Sequence, residues 1–208
     1  MVSKMVKISV SSWSLHREIP AVWQRDVPSK IGLVDFPRLC VEEFGVDAVE
    51  LRQMHFHSLD QRYVEKAKDA LDRSGVRVVN ILVDSGFTAE LDPERPRTDF
   101  EIIRRWFHFA EYLGSPFIRV NTGAGEGEKN LQRSIEGYRE TVKTAEETGV
   151  DLLIENHGGS QQTRTTLSRL SKELEASILR RARTLATFRL PLDMRSCRNL
   201  RSTRLSFM

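Results

Sequence analysis

Apolar residues along the first 159 positions switch between two spacings. Short runs rich in Val and Ile alternate with longer stretches in which apolar residues recur every three or four positions, the patterns of strands and amphipathic helices. MVKISVSSW (5–13) predicts a strand. VDFPRLCVEEFG (34–45) predicts a helix with Asp35 as its N-cap, Pro37 in the first turn and Gly45 at its end. VDAVELR (46–52) predicts a second strand, and SLDQRYVEKAKDALDRSG (58–75) a helix with Tyr63, Ala67, Ala70 and Leu71 on one face. VRVVNILV (76–83) is the third strand. TDFEIIRRWFHFAEYLG (98–114) is a helix with its stripe at Ile102, Ile103, Trp106, Phe107 and Ala110. PFIRVN (116–121), LQRSIEGYRETVKTAEETG (131–149) and VDLLIEN (150–156) complete the series as strand, helix and fifth strand.

Strands alternating with helices imply right-handed βαβ units and a parallel sheet, either doubly wound or part of a (β/α)8 barrel. In both, chemistry gathers at the carboxyl ends of the strands. Polar residues cluster at these ends: Trp13 and His16 after the first strand, Arg52, His55 and His57 after the second, and Asn80 and Asp84 on or after the third. Arg119 and Asn121 follow at the fourth, Glu155 and His157 at the fifth. Five strand ends feeding one rim favour a barrel, here a partial one of about five βα units.

Glu155 closes an Ile/Leu-rich strand, where a carboxylate is costly to bury unless it is paired or binds a metal. A salt bridge to Arg119 on the neighbouring strand would account for it; the rim position favours a functional role. Arg119 and Asn121 are two apart on a strand and share a face. The planar guanidinium suits a phosphate or carboxylate, or an ion pair with Glu155. His157 fits a ligand contact, an orienting partner for Glu155 or a loop histidine equally well. His55 and His57 fall on one side only if their segment is extended, which favours a half-buried loop pair over a metal site. GAGEG (123–127) does not match a dinucleotide-binding glycine pattern, and no helix is expected at the required offset, so it reads as a βα loop. The Trp106 and Phe107 stripe reads as core.

Composition divides the chain. Residues 160–208 carry ten Arg and one Lys against two Glu and one Asp, a balance of +8, whereas residues 1–159 balance at −5. All 12 glycines precede Ser160, and no Val, Tyr, Trp or His follows it. Two domains of character are therefore expected: 1–159 as the barrel part and 160–208 as an Arg/Ser/Leu-rich tail. No apolar run approaches the roughly 18 residues of a membrane span. The start MVSKMVKISVSSWS lacks the apolar core of a secretory signal. Only Cys40 and Cys197 are present, too few for a disulfide framework. The expected location is a reducing cytoplasm.

ISVSSWSL, FGVDAVELR, FAEYLGSPFIRVNTG and GVDLLIENHGG, in that order over about residues 5–159, resemble the sugar phosphate isomerase/epimerase family of xylose isomerase-like TIM barrels. The endonuclease IV branch shares this barrel and also ends its fifth strand with a metal-binding glutamate. The resemblance implies an enzyme holding a divalent metal (Mn, Mg, Zn or Co) on a glutamate, an aspartate, a histidine and a second glutamate, on strands five to eight. Glu155 matches the first, which the family also uses in proton transfer. It further implies a small sugar or sugar-phosphate substrate, with Arg119, Asn121, His157 and His55 as the expected contacts beside catalytic Glu155. The implied chemistry is proton removal next to a carbonyl, an enediolate, and return of the proton at another carbon or face.

The resemblance stops near Gly159, with no recognisable strand six, seven or eight, although such a barrel takes about 250 residues. A reading-frame shift near Ser160 would explain both the missing ligands and the composition break. ARTLATFR (182–189) can be encoded so that the frame starting at the third base of each codon reads P-D-F-G-N-F-P, like the family's strand-six motif with its aspartate. ELEASILRRA is compatible in that frame with V-G-S-K-Y-F-K-A-C, and STRLSFM with Y-A-x-x-V-H. The expectation is an inactive, C-terminally truncated or frameshifted chain, with an incomplete metal site and self-association through exposed barrel edges. The alternative is an endonuclease IV-like or other nucleic-acid-binding protein that uses the basic tail as an arm. It is less favoured because the tail has no Gly to articulate it and few aromatics to stack on bases.

Overall fold

The computed structural model describes residues 8–21, 31–84, 95–121 and 127–155, together with 169 and 172–173. The strands are β1 (Val10–Ser11), β2 (Ala48–Arg52), β3 (Arg77–Val83), β4 (Phe117–Asn121) and β5 (Asp151–Glu155). The helices are α1 (Phe36–Phe44), α2 (Gln61–Ser74), α3 (Arg95–Leu113) and α4 (Glu128–Thr148). The sheet order is β1-β2-β3-β4-β5, and every described pairing is parallel. A doubly wound sheet reverses direction partway across. This one does not, so the five strands form part of a (β/α)8 barrel.

Alternation along the strands separates two faces. Val49, Leu51, Val78, Ile81, Val83, Ile118 and Val120 are fully buried beneath the helices. Ile103, Trp106, Phe107 and Ala110 of α3 join them in one core, with Val64, Ala67 and Leu71 of α2 and Ile135 and Tyr138 of α4. The register places Glu50 beside Asn80, Leu82 beside Arg119, and Asn121 beside Glu155 on the other face, the barrel interior. These residues are half-buried rather than sealed, apart from Asn121. The interior is therefore largely polar.

Several boundaries differ from expectation. The described part of the first strand is two residues long, because Ser12–Leu15 turns at once into a 3-10 helix. Asp35 occupies the N-cap position of α1 but makes no capping bond; its Oδ2 accepts the Gly32 amide at 3.1 Å. Gly45 ends that helix as expected, at φ 62°, where a side chain would be strained. The face of α2 centres on Val64 rather than on the half-buried Tyr63. A helix does follow the glycine-rich stretch: α4 starts at Glu128, three residues early, with Gly127 as its N-cap at φ 87°. No helix among the described residues is long and apolar enough to cross a membrane.

Candidate functional site

The carboxyl ends of the strands carry an alternating row of charge across the barrel interior. Arg52, the last residue of β2, donates through Nε and Nη2 to the two carboxylate oxygens of Asp84, at 3.2 and 2.7 Å. Asp84 lies one residue beyond β3, and its Oδ1 also accepts Arg119 Nη2 at 2.8 Å. The other arm of that guanidinium, Nη1, pairs with Glu155 Oε2 at the end of β5. The four groups read plus, minus, plus, minus from β2 to β5. Two further bonds fix Asp84: its amide donates to Gln53 Oε1 at 3.0 Å, and its carbonyl accepts Asn121 Nδ2 at 2.7 Å.

Burial gives this row its weight. The Arg119 side chain is 11% exposed and that of Glu155 27%. Charges so far removed from water need partners. The expected salt bridge between them is present, and Arg119 and Asn121 share a face as their spacing predicted. Behind the row, fully buried Tyr138 donates its hydroxyl to the Val120 carbonyl at 3.0 Å. Burial pushes that phenol well above its ordinary range.

A second cluster sits where β1 and β2 end. The Trp13 indole stacks on His16 at 4.6 Å between centroids, and the Arg52 guanidinium lies 4.3 Å from its centre. Ser12 Oγ accepts the Arg52 amide at 3.0 Å and lies 2.8 Å from His55 Nδ1. His55 is only 1% exposed. Burial, then the nearby Arg52 and His16 charges, lower its pKa from 6.5 to about 4, so the ring is neutral at ordinary pH.

The structure brings Arg119, Asn121 and Glu155 together, with Asp84 and Arg52 linking them to the His55 cluster. It does not bring His55 and His57 to one side. The chain turns through a 3-10 helix at Gln53–His55, so His55 is buried while His57 is exposed against Tyr63. Asn80 lies inside the barrel, four residues before the rim, and its Oδ1 is buried without a hydrogen-bond partner. His157 lies outside the described residues, as do Asn156 and most of the basic tail. Sequence reasoning passed over Ser12, whose signal was a hydroxyl residue directly after a strand. It noted Asp84 without giving it the central place it holds.

Among the described residues no group of three or more His, Cys, Asp or Glu could hold a metal ion. Glu155 is paired with the Arg119 guanidinium. The residues described therefore do not fit a divalent metal, which needs several oxygen or nitrogen ligands converging on one point. On the outer surface Arg169 pairs with Glu128 through two contacts of 2.6 Å, and Glu173 with Arg139 at 3.0 Å. At least one tail arginine is thus engaged by the chain itself.

Fold and rim define an α/β barrel protein whose polar interior faces the strand ends. The model of the xylose isomerase-like TIM barrel family matches residues 40–178, more than half of the 208, and the chain belongs to that family. Solved structures agree on the fold. The probable 3-DHS dehydratase from Bacillus anthracis is 16% identical with a TM-score of 0.62, covering 82% of this chain and 60% of that one. A xylose isomerase-like TIM barrel protein from Mycobacterium smegmatis in complex with magnesium is 14% identical with a TM-score of 0.62, covering 82% and 63%. D-psicose 3-epimerase from Clostridium cellulolyticum with D-tagatose is 16% identical with a TM-score of 0.56, covering 82% and 60%. This chain thus spans between 60% and 63% of the length of these structures. A comparison with curated proteins gave no match.

Proposed function

We propose that this chain is the amino-terminal part of a sugar or sugar-phosphate isomerase/epimerase and that alone it does not turn over substrate. The observation that carries the reading is Glu155, held at the last position of β5 by Arg119 inside the polar end of a xylose isomerase-like barrel. In the proposed reaction Glu155 acts as general base. Its carboxylate takes the proton next to the carbonyl of an open-chain sugar. The C–H electron pair becomes the C=C bond of an enediolate, and the carbonyl pair moves to oxygen. Return of the proton to the former carbonyl carbon, with the hydroxyl proton passing to the former carbonyl oxygen, isomerises the sugar; a proton delivered by a second acid to the opposite face of the original carbon re-forms the carbonyl and inverts it. Arg119 aims Glu155 through their ion pair, while Asn121 and the ligand-side groups of the row orient hydroxyls.

The family resemblance implies a divalent metal, and of its four expected ligands only Glu155 falls among the described residues. In this reading most of residues 160–208 is the product of a shifted frame, the family match itself running on to residue 178, and His157 joins the substrate contacts. The sheet ends at β1 and β5 among the described residues, which supports self-association through strand edges.

The test compares two proteins. The 208-residue chain and a version with its frame restored near Ser160 are incubated with manganese or magnesium and a panel of ketoses. Turnover is expected from the restored protein alone. Appreciable metal-dependent isomerisation by the 208-residue chain contradicts the proposal, as do codons that forbid P-D-F-G-N-F-P in the alternative frame.

A further inference from the structure

Ser12 and His55 meet in a fully buried contact that the charged row does not use. Ser12 Oγ accepts the Arg52 amide and sits 2.8 Å from His55 Nδ1. His55 Nε2 is buried and has no hydrogen-bond partner. Two tautomers are compatible with these distances. If Nδ1 carried the proton and donated it to Ser12 Oγ, the serine hydroxyl proton and the Nε2 lone pair would both lack partners. If the serine donates to Nδ1, its hydroxyl is satisfied and the ring proton sits on Nε2, leaving one unsatisfied group. A buried polar group without a partner is costly, so the arrangement with fewer is favoured. The remaining N–H then lacks only an acceptor.

We propose that Ser12 is a positioning residue that fixes His55 as its Nε2–H tautomer, so that the ring offers a hydrogen-bond donor to a hydroxyl or carbonyl oxygen of a ligand bound at the strand ends. The ligand half rests on the isomerase/epimerase reading; the tautomer half does not. The lowered basicity of the ring fits the same picture, since a neutral imidazole keeps one donor and one acceptor apart. Trp13 lies nearly parallel to His55 with centroids 6.4 Å apart and is 44% exposed. Trp13 also contacts His16 and Arg52, which places the His55 ring in the cluster where β1 and β2 end.

Side-chain 15N NMR of the full chain reads the tautomer directly. The wild-type protein is expected to show protonated Nε2 and bare Nδ1 at neutral pH. Ser12→Ala is expected to lose that preference, and Ser12→Thr, which keeps the hydroxyl, to retain it. A wild-type Nδ1–H tautomer, or a Ser12→Ala spectrum with the Nε2–H tautomer intact, overturns the role of Ser12. Titration with xylitol and sorbitol is expected to move the His55 Nε2 resonance, with binding about tenfold weaker in Ser12→Ala, the loss of one well-placed hydrogen bond. No movement with either polyol overturns the donor role. Neither readout needs turnover, so an inactive frame-restored enzyme would refute the proposed reaction while leaving these results standing.

Discussion

The two faces of the sheet are built on opposite principles. The helix-facing side is a closed apolar core, with Val49, Ile81, Val83, Ile118 and Val120 wholly shielded and Trp106 and Phe107 packed against them. The interior side, one residue out of step along the same strands, carries Arg52, Asp84, Arg119, Asn121 and Glu155. Burial of apolar area stabilises the first face. Charges in a partly dry interior contribute little net stability, because desolvation offsets their attraction. The first face accounts for the fold, and the second is explained better by a ligand than by stability.

Substitutions can break this contrast. The largest effect is expected from Trp106→Ala, a wholly buried side chain, at about 3–5 kcal/mol of unfolding free energy in urea. A loss below about 1 kcal/mol would show that the helix-facing core is not what holds the fold. Next comes Arg119→Leu, expected to destabilise by about 2–3 kcal/mol because Glu155 loses its guanidinium. The double variant Arg119→Leu/Glu155→Leu should recover part of that loss, since a buried pair replaced by apolar groups is cheaper than a pair cut in half. A double variant as unstable as both changes summed would mean that the row supports the fold after all.

The His55 cluster adds a dependence on pH. Its pKa is depressed from 6.5 to about 4 in the folded chain, so between these values the unfolded chain binds the extra proton. Stability is therefore fully retained above about pH 6.5 and falls as the pH drops toward 4, by roughly 1.4 kcal/mol per unit within the window. His55→Gln should flatten this part of the curve. An unchanged slope would show that His55 is not the buried group responsible. The smallest effect belongs to the exposed Arg169–Glu128 pair. A double-mutant cycle there should give about 0.2–1 kcal/mol, diminished by salt.

Much of this contrast was legible in the sequence because periodicity reports burial. The stripe through Ile103, Trp106, Phe107 and Ala110 and the alternation in FIRVN each follow from one buried side. Arg119, Asn121 and Glu155 could be placed on the rim because strand ends are marked by where the apolar run stops. Local geometry was harder. His55 and His57 look paired at a spacing of two until a 3-10 turn parts them. Ser12 gave only the signal of a hydroxyl after a strand, since its importance comes from Arg52 and His55, forty or more positions away. Asp84 was visible as a rim residue, but its hold on two arginines depends on the register of three strands.

The central claim is that the interior row ends in a carboxylate that moves protons. It is tested most directly by following deuterium from solvent into the α-carbon of a ketose with the frame-restored chain and its Glu155→Gln variant, in manganese-containing D2O. The account predicts incorporation by the restored chain and a loss of at least about a thousandfold on removing the base. Incorporation by the glutamine variant at the restored chain's rate would contradict it.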